Sequence, residues 1–267
     1  MNRNSITATL PDSFSWKRVA AIAAYYSPYT GRQLICYLAV SLLFAILILL
    51  PSGEVAQLGL YTTIWACIPL LADLAPIMLA KWGDHRIVER LIPARASEKF
   101  IFYLIYFMIV IPASVYLLPL AACRLYMEIP AIQSPMLNEI NAMQFTAAPL
   151  LRTLNILCAS SAILTCLYAM IHCGTSRIIK GVLGVFAVKV AVGIMGAVYG
   201  IATVVKSGFI DGINANDKHQ ISAQSQQMMI NAMTENTPYL ATMLTILGIY
   251  VIVMLWLIYR DLKQRNL

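Results

Sequence analysis

Long apolar runs separated by short polar breaks dominate the chain. A helix crossing about 30 Å of hydrocarbon needs roughly 20 mainly apolar residues, with about 17 to 25 tolerated. Six stretches meet that requirement, running from Gln33 to Leu50, Leu58 to Ala80, Phe100 to Ala122, Leu150 to His172, Gly181 to Val205 and Pro238 to Ile258. The runs are continuous, not alternating, which excludes the strands of a closed β-barrel. The pattern predicts an all-α membrane protein with six transmembrane helices. Residues 1–32 then form a tail with an interfacial helix, 33–258 the membrane domain, and 259–267 a C-terminal tail.

The pieces between the runs carry their own patterns. Asp12 or Ser13 is placed to cap a helix through Phe14, Trp16, Val19, Ile22 and Tyr26, with Pro28 expected to stop it. Its mixture of Trp, Tyr, Lys and Arg suits a helix lying in the membrane interface. Between the second and third runs, Asp84 is placed to cap a short helix from Arg86 to Ile92, which Pro93 ends. On it Ile87 and Leu91 share a face, while Glu89 and Arg90 are available to water. Between the fifth and sixth runs, Lys206 to Thr237 is polar, and Ile221, Met228, Met229, Ala232 and Met233 mark an outer amphipathic segment.

Composition agrees with a membrane domain: 60% of residues are apolar and 12% charged, against about 25% charged in an ordinary soluble domain. The net charge of +7 is better explained by topology than by nucleic acid. Loops that stay in the cytoplasm are enriched in Lys and Arg. Fourteen of the 19 basic residues fall in the N-terminal tail, the second and fourth loops and the C-terminal tail, so both termini should be cytoplasmic. The first 32 residues are too polar for a secretory signal, and no small-residue cleavage pattern follows the first run. That run reads as an uncleaved span.

Motifs for chemistry within the chain are missing. There is no G-x-x-x-x-G-K-[ST] to cradle phosphates, no H-E-x-x-H and no G-x-S-x-G. His85, His172 and His219 are far apart and read as interfacial or solvated. The cysteines Cys36, Cys67, Cys123, Cys158, Cys166 and Cys173 show no C-x-x-C spacing, so neither a zinc site nor a disulfide framework is expected. The chain reads as a non-enzyme with no cofactor and no metal of its own.

Two charges inside the runs are candidates for function, because ionisable residues are costly there. Asp73 lies eight residues before Lys81 and Lys189 nine after Lys180, which places both about 12 to 14 Å inside the same boundary. Equal depth permits an ion pair that closes one half of the bundle or lines a path; Lys189 snorkelling to the interface is the alternative. Gly193, Gly196 and Gly200 in the fifth run are candidates for close helix packing.

The succession of interfacial helix, six spans, short helix between spans two and three and outer segment before span six resembles the permease subunit of type-2 ATP-binding-cassette exporters. The resemblance is sharpest at Leu91-Ile92-Pro93-Ala94-Arg95-Ala96-Ser97-Glu98-Lys99-Phe100. It is similar to the Pro-Ala-x-x-x-Glu-Lys-Phe signature of permease-like proteins from Bacteroidetes-type bacteria. Arg95 departs from the small polar residue expected there. The resemblance implies a bacterial inner-membrane protein, a homodimer or a pair of related permeases, and a separate ABC ATPase. It also implies that Arg86, Ile87, Glu89, Arg90 and Leu91 form the ATPase-coupling helix. A membrane scaffold or regulator that recruits a partner through the same loop is the competing expectation. An ion-coupled transporter using Asp73 and Lys189 is a third, although the halves show no inverted repeat.

Overall fold

The computed structural model describes residues 14–50, 54–78, 94–128, 149–173, 176–206 and 237–265. They form α1 (Trp16–Leu49), α2 (Glu54–Leu74) with a 3-10 turn (Ala75–Met78), α3 (Ala96–Leu104), a π-helical segment (Ile105–Val110), α4 (Ile111–Glu128), α5 (Pro149–His172), α6 (Arg177–Lys206) and α7 (Thr237–Arg265). The segment from α3 through α4 is one span, giving, among the described residues, six helices long and apolar enough to cross a bilayer. The chain is thus an all-α membrane-type fold, as the apolar runs predict. The coupling candidates Arg86, Ile87, Glu89, Arg90 and Leu91 lie outside the described residues, as do Asp12, Ser13 and residues 207–236 between α6 and α7.

Proline does not stop these helices, and at Pro28 and Pro119 the freed backbone carbonyl finds another donor. The expected stop at Pro28 is overturned: α1 continues unbroken for 34 residues, about 51 Å. Pro28 has no N–H for the carbonyl of Ala24, and the Ser27 hydroxyl donates to that oxygen instead at 2.8 Å. Pro119 frees the carbonyl of Val115 in α4, and Ser41 Oγ donates to it from α1 at 3.1 Å. At Pro112 the backbone changes register: the Ile111 N–H donates to Tyr106 O, five residues back. That π turn widens the helix where a regular one would drive the proline ring into the Met108 carbonyl.

The helices pack as an up-and-down bundle in which α5 is central, touching α2, α6 and α7, while α1 lies along α4 and the start of α3. Ile68, Phe107, Ile111, Val115, Leu164, Leu167 and Ile258 fill the centre. Contacts described below gather the starts of α1, α3 and α6 with the ends of α2, α5 and α7, so alternate spans run in opposite directions. The outer helix is α6. Of its most apolar window only 11% of residues are buried, against 50% for α5, and Ile179, Leu183, Phe186 and Ile194 face outward. Side chains of this kind on a surface are solvated by lipid, not by water.

Candidate functional site

The first cluster lies where α3 begins. Glu98 occupies the third position of α3, and its carboxylate reaches back to accept the Arg95 N–H at 3.0 Å, the carboxylate half of a capping box. The same carboxylate crosses to α1. The Ser15 N–H donates to Oε1 at 3.0 Å, Arg18 Nε donates at 2.8 and 2.9 Å to the two oxygens, and Arg18 Nη2 lies 2.7 Å from Oε1. The Glu98 side chain is wholly buried. A buried carboxylate is tolerable only when cations and N–H donors replace its water, and here three residues do so. The position also faces the positive end of the α3 dipole.

Aromatic contacts extend this junction along the helices. Tyr26 of α1 stacks on Phe102 at 5.6 Å, and Phe102 on Tyr106 at 6.0 Å. The Tyr106 hydroxyl donates to Gln33 Oε1 at 3.0 Å, and Gln33 Nε2 donates to the Ala75 carbonyl at 3.2 Å in the turn that ends α2. Phe100 packs edge-on against Tyr259 of α7 at 5.7 Å. The Glu98-Lys99-Phe100 triplet is therefore a clasp: Glu98 holds α1, Phe100 holds α7, and the buried Lys99 sits between them in sequence.

A second cluster at the same end joins α5 to α7. His172 Nδ1 contacts Asp261 Oδ2, Tyr168 stacks on the imidazole at 4.9 Å, and Arg260 approaches the other Asp261 oxygen at 3.7 Å. Half of the His172 side chain is exposed, and its ring contacts a buried aspartate that the sequence did not point to. His85 and His219 lie outside the described residues.

The third feature lies within the membrane-spanning region. Lys189 Nζ of α6 lies 2.7 Å from Asp73 Oδ2 of α2, with side-chain exposures of 32% and 0%. Among the described residues neither Asp73 oxygen receives a hydrogen bond of good geometry, so the contact is chiefly Coulombic. Tyr116 of α4 and Cys158 and Cys166 of α5 are the electrostatic neighbours of this carboxylate.

The close helix approach in α6 falls earlier than the expected glycines. A Cβ on Gly181 would meet Met170 Cε at 2.6 Å, and one on Gly184 would meet Thr165 Cγ2 at 2.8 Å. At Gly193 and Gly196 a Cβ would meet nothing within 4 Å, so the seam inside the bundle is built at Gly181 and Gly184. The surroundings of Gly200 lie outside those described.

Compared with protein-family models, curated proteins and solved structures, the chain matches none.

Sequence reasoning placed Asp73 and Lys189 at one depth, and the structure brings them together. It missed the partners of Glu98 and of His172. The available signal for Glu98 was its place three residues into a helix beside a proline; nothing local pointed to Arg18, eighty residues away.

Proposed function

We propose that this chain is the membrane-spanning permease subunit of an ATP-driven exporter, working as a homodimer or with a related permease in a bacterial inner membrane. Its termini and its 81–99 loop face the cytoplasm, where a separate ABC ATPase engages Arg86, Ile87, Glu89, Arg90 and Leu91. The observation that supports this reading best is the clasp at Glu98. A force-receiving loop must end on something stiff, and residues 81–99 run directly into a junction where a buried carboxylate ties α3 to α1 and Phe100 touches α7. A push on the loop would thus tilt three spans together. The bias of basic residues toward one set of loops supports the orientation.

The test is affinity purification of the detergent-solubilised protein from its native host, followed by mass spectrometry, for wild type and Leu91→Asp. An ABC ATPase recovered with wild type and lost from a folded Leu91→Asp protein is the expected result. Absence of any ATPase, under conditions that keep a known exporter intact, would remove the proposal.

A further inference from the structure

The Asp73 to Lys189 contact is asymmetric. Asp73 has one methylene, is wholly buried and sits at the end of α2, where the 3-10 turn is held by Gln33 through the Ala75 carbonyl and the last helical turn by the Tyr37 hydroxyl, which donates to the Leu71 carbonyl at 3.1 Å. It has little freedom to move. Lys189 has four methylenes, is one-third exposed and rides on the least buried helix of the bundle. A lysine so placed has a second favourable position, with its ammonium drawn toward the interface along α6. Withdrawal would leave a carboxylate with no cation and no hydrogen-bond donor among the described residues, in a region where an uncompensated charge is very costly.

From this asymmetry we infer that the Asp73 carboxylate is an intramembrane binding site for a cationic group, held by Lys189 at rest and open to an ammonium-bearing ligand when Lys189 withdraws. Because α6 is the least buried helix of the bundle and Lys189 is one-third exposed on it, a ligand would reach Asp73 from the lipid side, past Lys189. That the ligand is cargo rests on the export reading; the site itself rests on the geometry alone.

The experiment uses the full chain in lipid nanodiscs, with n-propylammonium as probe and n-propanol as its neutral control. Lys189→Ala deletes a piece of side chain the size of the probe. This variant should unfold at a lower temperature than wild type, and n-propylammonium, but not n-propanol, should restore the lost midpoint. The Asp73→Asn/Lys189→Ala double variant should not respond. Wild type, in which Lys189 competes, should need at least about tenfold more probe for binding to show. Should Lys189→Ala yield no folded protein, Lys189→Met with methylammonium as probe and methanol as control carries the same comparison. Equal responses of the single and double variants would overturn the inference. So would a wild type that stays silent at about a hundredfold the concentration that saturates the single variant, since the pair would then be a fixed structural tie. No ATPase is present in this assay, so its outcome is independent of whether the export reading holds.

Discussion

Arg18 and Glu98 meet in a two-oxygen contact: the guanidinium Nε lies 2.8 and 2.9 Å from the two carboxylate oxygens, and Nη2 lies 2.7 Å from one of them. Glu98 is wholly buried while Arg18 stays partly exposed, so the pair is a plug of charge set into an apolar junction. Its partners cannot be removed with equal effect. Glu98→Gln takes the charge from a site that three donors share, while Arg18→Gln leaves the Ser15 and Arg95 N–H groups in place. The Glu98→Gln protein should be the less stable of the two by thermal midpoint in nanodiscs. The double variant should lose less than the sum of the single losses, because both single changes break the same bond. Strictly additive losses would mean that the contact does not couple α1 to α3.

Ser41 supplies the hydrogen that Pro119 denies to the Val115 carbonyl. Ser41→Ala leaves that buried oxygen without a donor, at a cost of about 1–3 kcal/mol. Pro119→Ala made in the same background restores an N–H for Val115 and should recover most of the loss. Unfolding free energies in bicelles check the pair of values.

The glycines of α6 separate into two classes. Gly184→Ala would press its methyl on Thr165 Cγ2, and Thr165 cannot yield freely because its hydroxyl is bonded to the Ser161 carbonyl and to Tyr250 of α7. Overpacking of this kind costs about 1–3 kcal/mol. At Gly193, where a Cβ meets nothing, alanine should be neutral or stabilising by up to about 1 kcal/mol through helix propensity. Midpoints from thermal unfolding of the two variants distinguish the classes.

Asp261 is buried between His172 and Arg260. His172→Ala removes the ring from one oxygen of that carboxylate and leaves Arg260 3.7 Å from the other. A loss of about 1–3 kcal/mol is expected, and Asp261→Asn in the same background should return part of it by removing the charge. The two variants, compared with wild type by unfolding free energy, check the assignment.

The spans could be read from the chain because a run of apolar residues long enough to cross hydrocarbon has few other uses. The pairing of Asp73 with Lys189 was legible for a related reason: depth is set by counting along each helix, and two charges at one depth have strong cause to meet. What counting does not supply is which helices are neighbours around the bundle. Glu98 could therefore be seen as a helix-start residue but not as the anchor of Arg18, and His172 could be placed at a helix end without Asp261 beside it. Pro28 misled for a different reason. Its effect depends on whether some hydroxyl can take the freed carbonyl, and Ser27, one residue before it, does so. The close approach at Gly181 and Gly184 was not legible, because the sequence does not say which neighbouring helix a small residue will face.

The most direct test of the central claim is photo-cross-linking in the native host, with a benzophenone amino acid replacing Leu91 in an otherwise wild-type chain. The expected result is a covalent adduct that contains an ABC ATPase subunit and disappears when the same group is moved to Ile194, on the outward face of α6. Robust adducts from position 91 that contain lipid or other proteins but never an ATPase would contradict the exporter assignment.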